Sequence, residues 1–200
     1  MDWNASYDTG ETPWDKGAPA PPLLEWLAQP ENRCDGDILV PGCGLGHDVR
    51  ALAEANPAAR LLGADIAPLA VERAERYPLV GKERYAVLDL FALPEKHRGG
   101  FDWVIEHTCF CAINPARRAD YVRAVAEALR PGGRLLAIFY LEPWATGETP
   151  PPGGGPPFGV TVTELDTLFA PSFRLIEEHR PTRAYPGREG RELLRLLERK

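Results

Sequence analysis

The sequence predicts an α/β fold: a doubly wound, mostly parallel sheet with helices on both faces. Three observations carry this prediction. Short apolar runs alternate with helix-spaced stripes along most of the chain. The first run, Ile38 to Val40, leads into Gly42, Gly44 and Gly46 and then into Val49, Leu52 and Ala53 at helical spacing. The later runs Arg60–Ile66, Arg84–Asp89 and Phe101–Glu106 finish in or beside an acid: Asp65, Asp89 and Glu106. In an open parallel sheet, ligands lie beyond the carboxyl ends of the strands, near the point where strand order reverses.

A chain of 200 residues suits one such domain. No apolar run approaches the roughly 20 residues that span a bilayer. The start, Met1-Asp2-Trp3-Asn4, has neither the basic region nor the apolar core of a signal peptide. A net charge of -6 lacks the basic footprint of a nucleic-acid binder. Cys34, Cys43, Cys109 and Cys111 show neither zinc-ligand spacing nor a disulfide framework and read as reduced thiols of a cytosolic protein. Cys109 and Cys111 read as core packing rather than redox chemistry.

The elements follow in order. Residues 1–22 hold Trp3, Tyr7, Trp14 and several prolines without periodicity. So aromatic a terminal arm is expected to cover something, because termini stay disordered unless tied down. Pro22 to Leu27 reads as a helix. The first strand, Ile38–Val40, passes through the glycine turn into a helix over Gly46–Ala55, which Pro57 ends. Strand, glycine turn and helix bring backbone N–H groups up to a ligand. The second strand, Arg60–Ile66, places Asp65 about 20 residues after the turn, where an acid accepts from ribose hydroxyls; capping of the next helix, Pro68–Tyr77, is the alternative. After the third strand, Asp89 is placed to hold an adenine amino group with Leu90 or Phe91 on the ring, or is a plain strand-end acid.

The fourth strand runs into His107 and Phe110, so Gly42, Asp65, Asp89 and Glu106–Phe110 converge on one crevice. His107 reads either as a general base or as a structural or cofactor contact. Pro115–Arg130 is an amphipathic helix burying Tyr121, Val122, Val125, Ala126 and Leu129, with Arg117, Arg118, Arg123 and Glu127 facing out, and Pro131-Gly132-Gly133 stops it. Arg134–Leu141 is the fifth strand. Residues 142–159, rich in Pro and Gly and carrying Trp144 and Phe158, read as a substrate lid, with an idle loop as the alternative. A short helix capped by Thr163 and a strand over Phe173–His179 follow. Leu193, Leu194, Leu196 and Leu197 in residues 189–199 fit a helix by spacing or a last strand.

The glycine spacing decides the cofactor class. A dinucleotide fingerprint places glycines first, third and sixth; here they fall first, third and fifth, which disfavours a nicotinamide oxidoreductase. With Thr12-Pro13-Trp14-Asp15-Lys16-Gly17, Val40-Pro41-Gly42-Cys43-Gly44-Leu45-Gly46-His47-Asp48, Phe110-Cys111-Ala112-Ile113 with Pro115 and Arg118, and Gly155-Pro156-Pro157-Phe158, the chain resembles the thiopurine-methyltransferase-like branch of class I methyltransferases. Within it, the chain looks most like the thiol/halide (thiocyanate) methyltransferases known from plants.

The resemblance implies a single Rossmann-like domain over residues 1–200 with a seven-stranded sheet, its last strand antiparallel within 189–199. It implies an N-terminal arm and helix (1–30) over the cofactor and a lid at 142–159. The cofactor would be S-adenosylmethionine, with S-adenosylhomocysteine as product and no metal. Its contacts would be Trp3, Tyr7 and Trp14 from the arm, and Gly42, Gly44, Asp65, Ile66, Asp89, Leu90, Phe91, Glu106 and His107 from the sheet. Tyr140 and His107 would be catalytic, facing the methyl acceptor and being the candidates to deprotonate a neutral thiol. Tyr7 stands where plant relatives carry Trp, and His107 where they carry Tyr. The implied activity is methylation of a thiol, hydrosulfide, thiocyanate or halide by a cytoplasmic monomer that has a small-molecule substrate and no nucleic-acid or membrane partner. The alternatives are N- or O-methylation of a metabolite, or S-adenosylmethionine binding without catalysis.

Overall fold

A computed structural model describes residues 1–144, 148–151 and 153–200. The helices are α1 (Trp3–Thr9), α2 (Pro21–Leu27), α3 (His47–Ala55), α4 (Pro68–Glu75), α5 (Arg118–Ala128) and α6 (Val162–Phe169). The strands are β1 (Asp37–Pro41), β2 (Arg60–Asp65), β3 (Lys82–Val87), β4 (Phe101–His107), β5 (Leu129–Tyr140), β6 (Phe173–His179) and β7 (Glu192–Arg199). They form one seven-stranded sheet in the order β3-β2-β1-β4-β5-β7-β6. β1 to β5 are parallel, and β7 runs antiparallel to both its neighbours. Strand order reverses between β1 and β4, so the crevice opens between the glycine turn and the end of β4.

Alternation along the strands divides the core in two. Ile38 and Val40 of β1, Trp103 and Ile105 of β4, and Ile138 of β5 pack with Leu23 and Trp26 of α2 and Val49 and Leu52 of α3. Leu39, Val104, Ala137 and Phe139 lie on the other face with Tyr121 and Val125 of α5 and Leu165 and Phe169 of α6. β7 explains the ambiguity of residues 189–199. Its leucines alternate between faces, Leu193 and Leu197 to one and Leu194 and Leu196 to the other. A strand buried on both faces reads as a continuous apolar run, which mimics helical spacing. The structure makes it the antiparallel strand.

Several local expectations are corrected. The arm is not wholly irregular, for α1 forms within it. Asp2 caps α1 by accepting from the Ala5 amide (3.0 Å), and Gly10 ends it at φ 77°. Helix α5 starts at Arg118, after a 3-10 turn over Pro115–Arg117, and stops at Ala128. Leu129 already pairs with Phe101, so β5 begins before Pro131 rather than after it. Thr161, not Thr163, caps α6, accepting from the Glu164 amide (3.1 Å). Asp89 lies past β3 and caps a 3-10 turn over Leu90–Ala92. Among the described residues, no helix is long and apolar enough to cross a membrane.

Arg118 is the largest departure. Expected to face solvent, it is 2% exposed. Its guanidinium donates to Glu164 Oε1 (2.7 Å) and to the carbonyls of Phe158 (3.2 Å) and Gly159 (2.9 Å), and lies 5.0 Å from the Phe110 ring centroid. The backbone N–H of Phe158 in turn donates to the Cys111 carbonyl (2.7 Å). The end of the Pro/Gly segment is thereby fastened to the turn after β4. Residues 145–147 and 152 of the expected lid lie outside the described residues. Replacing Arg118 by Met keeps the stem but strands two carbonyls, and is expected to cost about 1–3 kcal/mol. A lowered midpoint in urea unfolding at unchanged slope checks this.

Candidate active site

β1 ends at Pro41, and Gly42, Gly44 and Gly46 all adopt left-handed φ, at 61°, 53° and 74°. That conformation favours glycine. A Cβ built on Gly44 would stand 3.0 Å from Tyr7 Oη, and one on Gly42 3.1 Å from Cys109 Sγ. The turn therefore tolerates no side chain where the arm and the β4 end close on it. Asp65 reaches over from β2: Oδ2 accepts from the Gly44 amide (3.0 Å) and Oδ1 from the Ala67 amide (2.9 Å). Burial raises the Asp65 carboxyl above its ordinary range, against the pull of the Ala67, Gly44 and Ile66 amides. Asp65 thus closes a turn just ahead of α4, whose N-cap, Ala67, takes no side-chain cap, and each carboxylate oxygen keeps a further lone pair for a ligand hydroxyl.

The arm is fastened here as well. Asn4 Oδ1 accepts from the Leu69 amide (2.9 Å) at the start of α4, and Tyr7 packs on Ala67 and Ala70. Trp14 Nε1 donates to Tyr7 Oη (3.1 Å), and the Trp14 ring meets those of Trp3 and Tyr7 edge to face at 5.2 and 5.9 Å. Three aromatic rings from the first 14 residues thus gather beside Gly44. Burial raises the Tyr7 hydroxyl well above the ordinary phenol range, so it stays protonated.

At the end of β4, adjacent residues serve opposite faces. Glu106 turns inward and is 1% exposed; it accepts from the Phe110 amide (3.0 Å) and from Tyr121 Oη (2.5 Å). It therefore braces the turn from the α5 side rather than facing the crevice. Thr108 follows at φ 62°, an unusual conformation for a β-branched residue, costing about 1–3 kcal/mol. His107, between them, turns to the other face. Its Nδ1 lies 2.8 Å from Asp48 Oδ2, and its ring lies 6.0 Å from that of Tyr185. Asp48 Oδ1 accepts from the Ala20 amide (2.7 Å). His107 Nε2 is buried and has no hydrogen-bond partner among the described residues. Burial acts to raise the Asp48 carboxyl, but His107, the Ala20 amide and His47 outweigh it and hold it below its ordinary range.

The other expected site residues divide. Ile66 stands exposed beside Asp65, an apolar surface open to a flat ligand. Asp89 is exposed, and Oδ1 accepts from the Phe91 amide (2.8 Å). Leu90 is buried in the α5-side core, and the Phe91 ring lies under the Arg117 guanidinium (3.9 Å), so both belong to the α5 side. Tyr140 is buried; its Oη donates to the Pro143 carbonyl (3.3 Å), and its ring packs under Arg188. Sequence reading missed Asp48, Tyr185, Arg188 and Glu192. Asp48 was within reach, since it closes the Gly-His-Asp motif; nothing in the spacing singles out the other three. Burial pushes the Cys34 and Cys111 thiols up to about 12 and raises Cys43 and Cys109 too. Among the described residues, no three His, Cys, Asp or Glu side chains cluster as metal ligands.

Comparison with known proteins gives this geometry a context. The family model described as thiopurine S-methyltransferase matches residues 1–192. The chain is 32% identical over 197 residues to thiocyanate methyltransferase 1 of Brassica oleracea, covering 96% of this chain and 82% of that one. It is 32% identical over 173 residues to probable thiol methyltransferase 2 of Arabidopsis thaliana, covering 84% and 71%. Its fold is shared with Burkholderia thailandensis 1,6-didemethyltoxoflavin-N1-methyltransferase, solved with bound S-adenosylhomocysteine, at a TM-score of 0.72, 20% identity and coverage of 100% and 86%.

The lowered Asp48 carboxyl fixes a pH effect. Its folded pKa lies below the unfolded one, so its contribution is fully present above the ordinary value of 3.8 and is lost as pH falls through the folded value. Asp48→Asn, which can still accept from Ala20, is expected to lower stability at neutral pH and to flatten the acid side of the stability curve. Urea unfolding across that range checks both.

Proposed function

The chain belongs to the thiopurine S-methyltransferase family, and from this premise we propose that it methylates a small soft nucleophile: a thiol, hydrosulfide, thiocyanate or halide. It is an S-adenosylmethionine-dependent S-methyltransferase, and its substrate is a small molecule. The observation that carries this is a family match running from the arm through both walls of the crevice, over residues 1–192. The same reading makes residues 1–200 one domain. It has the protein act as a cytoplasmic monomer without a metal, a nucleic-acid partner or a membrane partner.

The residues present fit the cofactor. The left-handed glycines of the turn admit a ligand against the backbone, and the Asp65 carboxylate keeps lone pairs for ribose hydroxyls. Ile66 offers an apolar face, and Asp89 can accept an adenine amino group. Trp3, Tyr7 and Trp14 are assigned to the cation, ring-face attraction contributing roughly 0.5–2 kcal/mol each. Leu90, Phe91 and Glu106 support this site from the α5 side. When bound, S-adenosylmethionine supplies a methyl group on a sulfonium.

Opposite charges meet and vanish when a thiolate takes that methyl, so a dry aromatic pocket suits the reaction. The Pro/Gly segment 142–159 is assigned to water exclusion over it, and Tyr140 to the acceptor-side wall. Orientation of the reacting atoms supplies most of the acceleration. A protonated thiol also needs a base. Asp48 accepts a hydrogen bond from the His107 Nδ1–H, which leaves Nε2 with its lone pair free. The S–H bond breaks, Nε2–H forms, and the electron pair stays on sulfur as the thiolate. The imidazolium is stabilised by Asp48.

Incubation with S-adenosylmethionine and a panel of thiols, hydrosulfide, thiocyanate and iodide is expected to release S-adenosylhomocysteine. Turnover only with amines or hydroxyls would refute the acceptor class. His107→Gln is expected to lower kcat/KM for thiols about 100-fold near neutral pH, while thiocyanate and iodide, already anions, change little. Trp14→Ala is expected to weaken S-adenosylmethionine about 2–30-fold by calorimetry, and uncharged S-adenosylhomocysteine less. Equal affinities with and without the ring would reduce the arm to packing.

A further inference from the structure

One polar cluster on the acceptor side has no part in the steps above. β6 is antiparallel to β7 and β7 to β5, so β6 runs in the direction of β5. The β6–β7 connection, residues 180–191, therefore turns at the end of the sheet that carries Gly42 and His107. It is fastened to the arm there, since Tyr185 Oη donates to the Ala18 carbonyl (2.5 Å). From this connection the Arg188 guanidinium lies 4.6 Å from the Tyr140 ring centroid and 5.5 Å from that of Tyr185. Tyr185 is the same ring that packs on His107.

The cation is largely buried, at 8% exposure. Its side-chain hydrogen bond is Nη1 to Glu192 Oε1 at 3.2 Å, and its remaining donors have no acceptor among the described residues. Glu192 sits opposite Tyr140 in the β5–β7 register and is 1% exposed. Its second oxygen, Oε2, is a buried atom without a partner, as His107 Nε2 is. None of the guanidinium's spare donors is a buried orphan, so they keep contact with solvent and stay open to a ligand. Its weak hydration and planar donors suit an anion that is itself easily dehydrated.

We propose that Arg188, held by Glu192 and seated against Tyr140 and Tyr185, is the residue that selects the acceptor's charge, receiving it as an anion: a thiolate, hydrosulfide, thiocyanate or iodide. This rests on the methyltransferase reading above and deepens it. His107 and Arg188 divide the work: His107 makes the anion from a protonated thiol, and Arg188 holds it. The attraction is greatest before reaction, because the acceptor's charge disappears as the methyl is transferred. Arg188 therefore acts chiefly on KM, and its loss leaves kcat unchanged or slightly raised. Glu192 carries the opposite charge beside the same spot, so it fixes the guanidinium at some expense of anion affinity.

Charge variants of the full chain test this. Arg188→Gln is expected to raise KM for thiocyanate and iodide about tenfold or more, with kcat unchanged or slightly raised. Arg188→Lys is expected to keep KM within about threefold of the parent, and Glu192→Gln to lower it. An unchanged affinity for S-adenosylhomocysteine in each variant shows that the cofactor side is intact. Unchanged KM in Arg188→Gln, or shifts of the same sign in Arg188→Gln and Glu192→Gln, would overturn the assignment; should Arg188→Gln not fold, a KM that does not fall in Glu192→Gln overturns it. If the parent protein turns over no acceptor, the methyltransferase reading fails instead. Calorimetric titration of thiocyanate into the S-adenosylhomocysteine complex of the parent and of the variants then decides the role of Arg188 separately.

Discussion

The Asp48 carboxylate is the point on which the crevice depends. It sits in the first turn of α3, directly after the glycine turn. One oxygen takes the Ala20 amide and so fixes the end of the arm; the other takes His107 and so fixes the end of β4. Three segments far apart in the chain are thus held by one charge. A group placed this way is costly to bury unless each oxygen is bonded, and here each is. The low Asp48 pKa follows from that bonding, and so does the fixed tautomer of His107.

Around this point the sheet separates neighbouring side chains by parity. Glu106 and His107 are neighbours, yet a strand sends them to opposite faces. Glu106 braces the Phe110 turn and Tyr121 from within. His107 faces the arm side with Ile138, Tyr185 and Glu192. The left-handed Thr108 lets the chain turn sharply between the two arrangements. The brace on the inner side is what makes a strained residue tolerable on the outer side.

The fasteners of the arm and of the Pro/Gly segment share one pattern. Asn4 accepts from the Leu69 amide, Tyr185 donates to the Ala18 carbonyl, and Arg118 donates to the carbonyls of Phe158 and Gly159. In each, a side chain satisfies backbone that has no strand or helix partner. That is how the chain at residues 4, 18 and 158–159 is held to the domain without a core of its own.

The sequence by itself determined the existence of six of the seven strands, the glycine turn, the family and most of the residues at the strand ends, leaving β7 ambiguous. These are local properties: period-two and period-3.6 patterning, glycine spacing and prolines at helix starts act over a few residues. It misplaced Arg118, since a helix face polar in composition says nothing about a carbonyl cluster 40 residues away. It offered Glu106 and His107 together, because adjacency in sequence does not reveal which face of a strand is dry. It passed over Arg188 and Glu192, which are an ordinary arginine and an ordinary glutamate until β7 reverses direction and brings them to the end of the sheet that carries Gly42 and His107. Only the tertiary structure decides such partners. A charge acquires its function from what surrounds it after burial, and burial is set by contacts between distant segments.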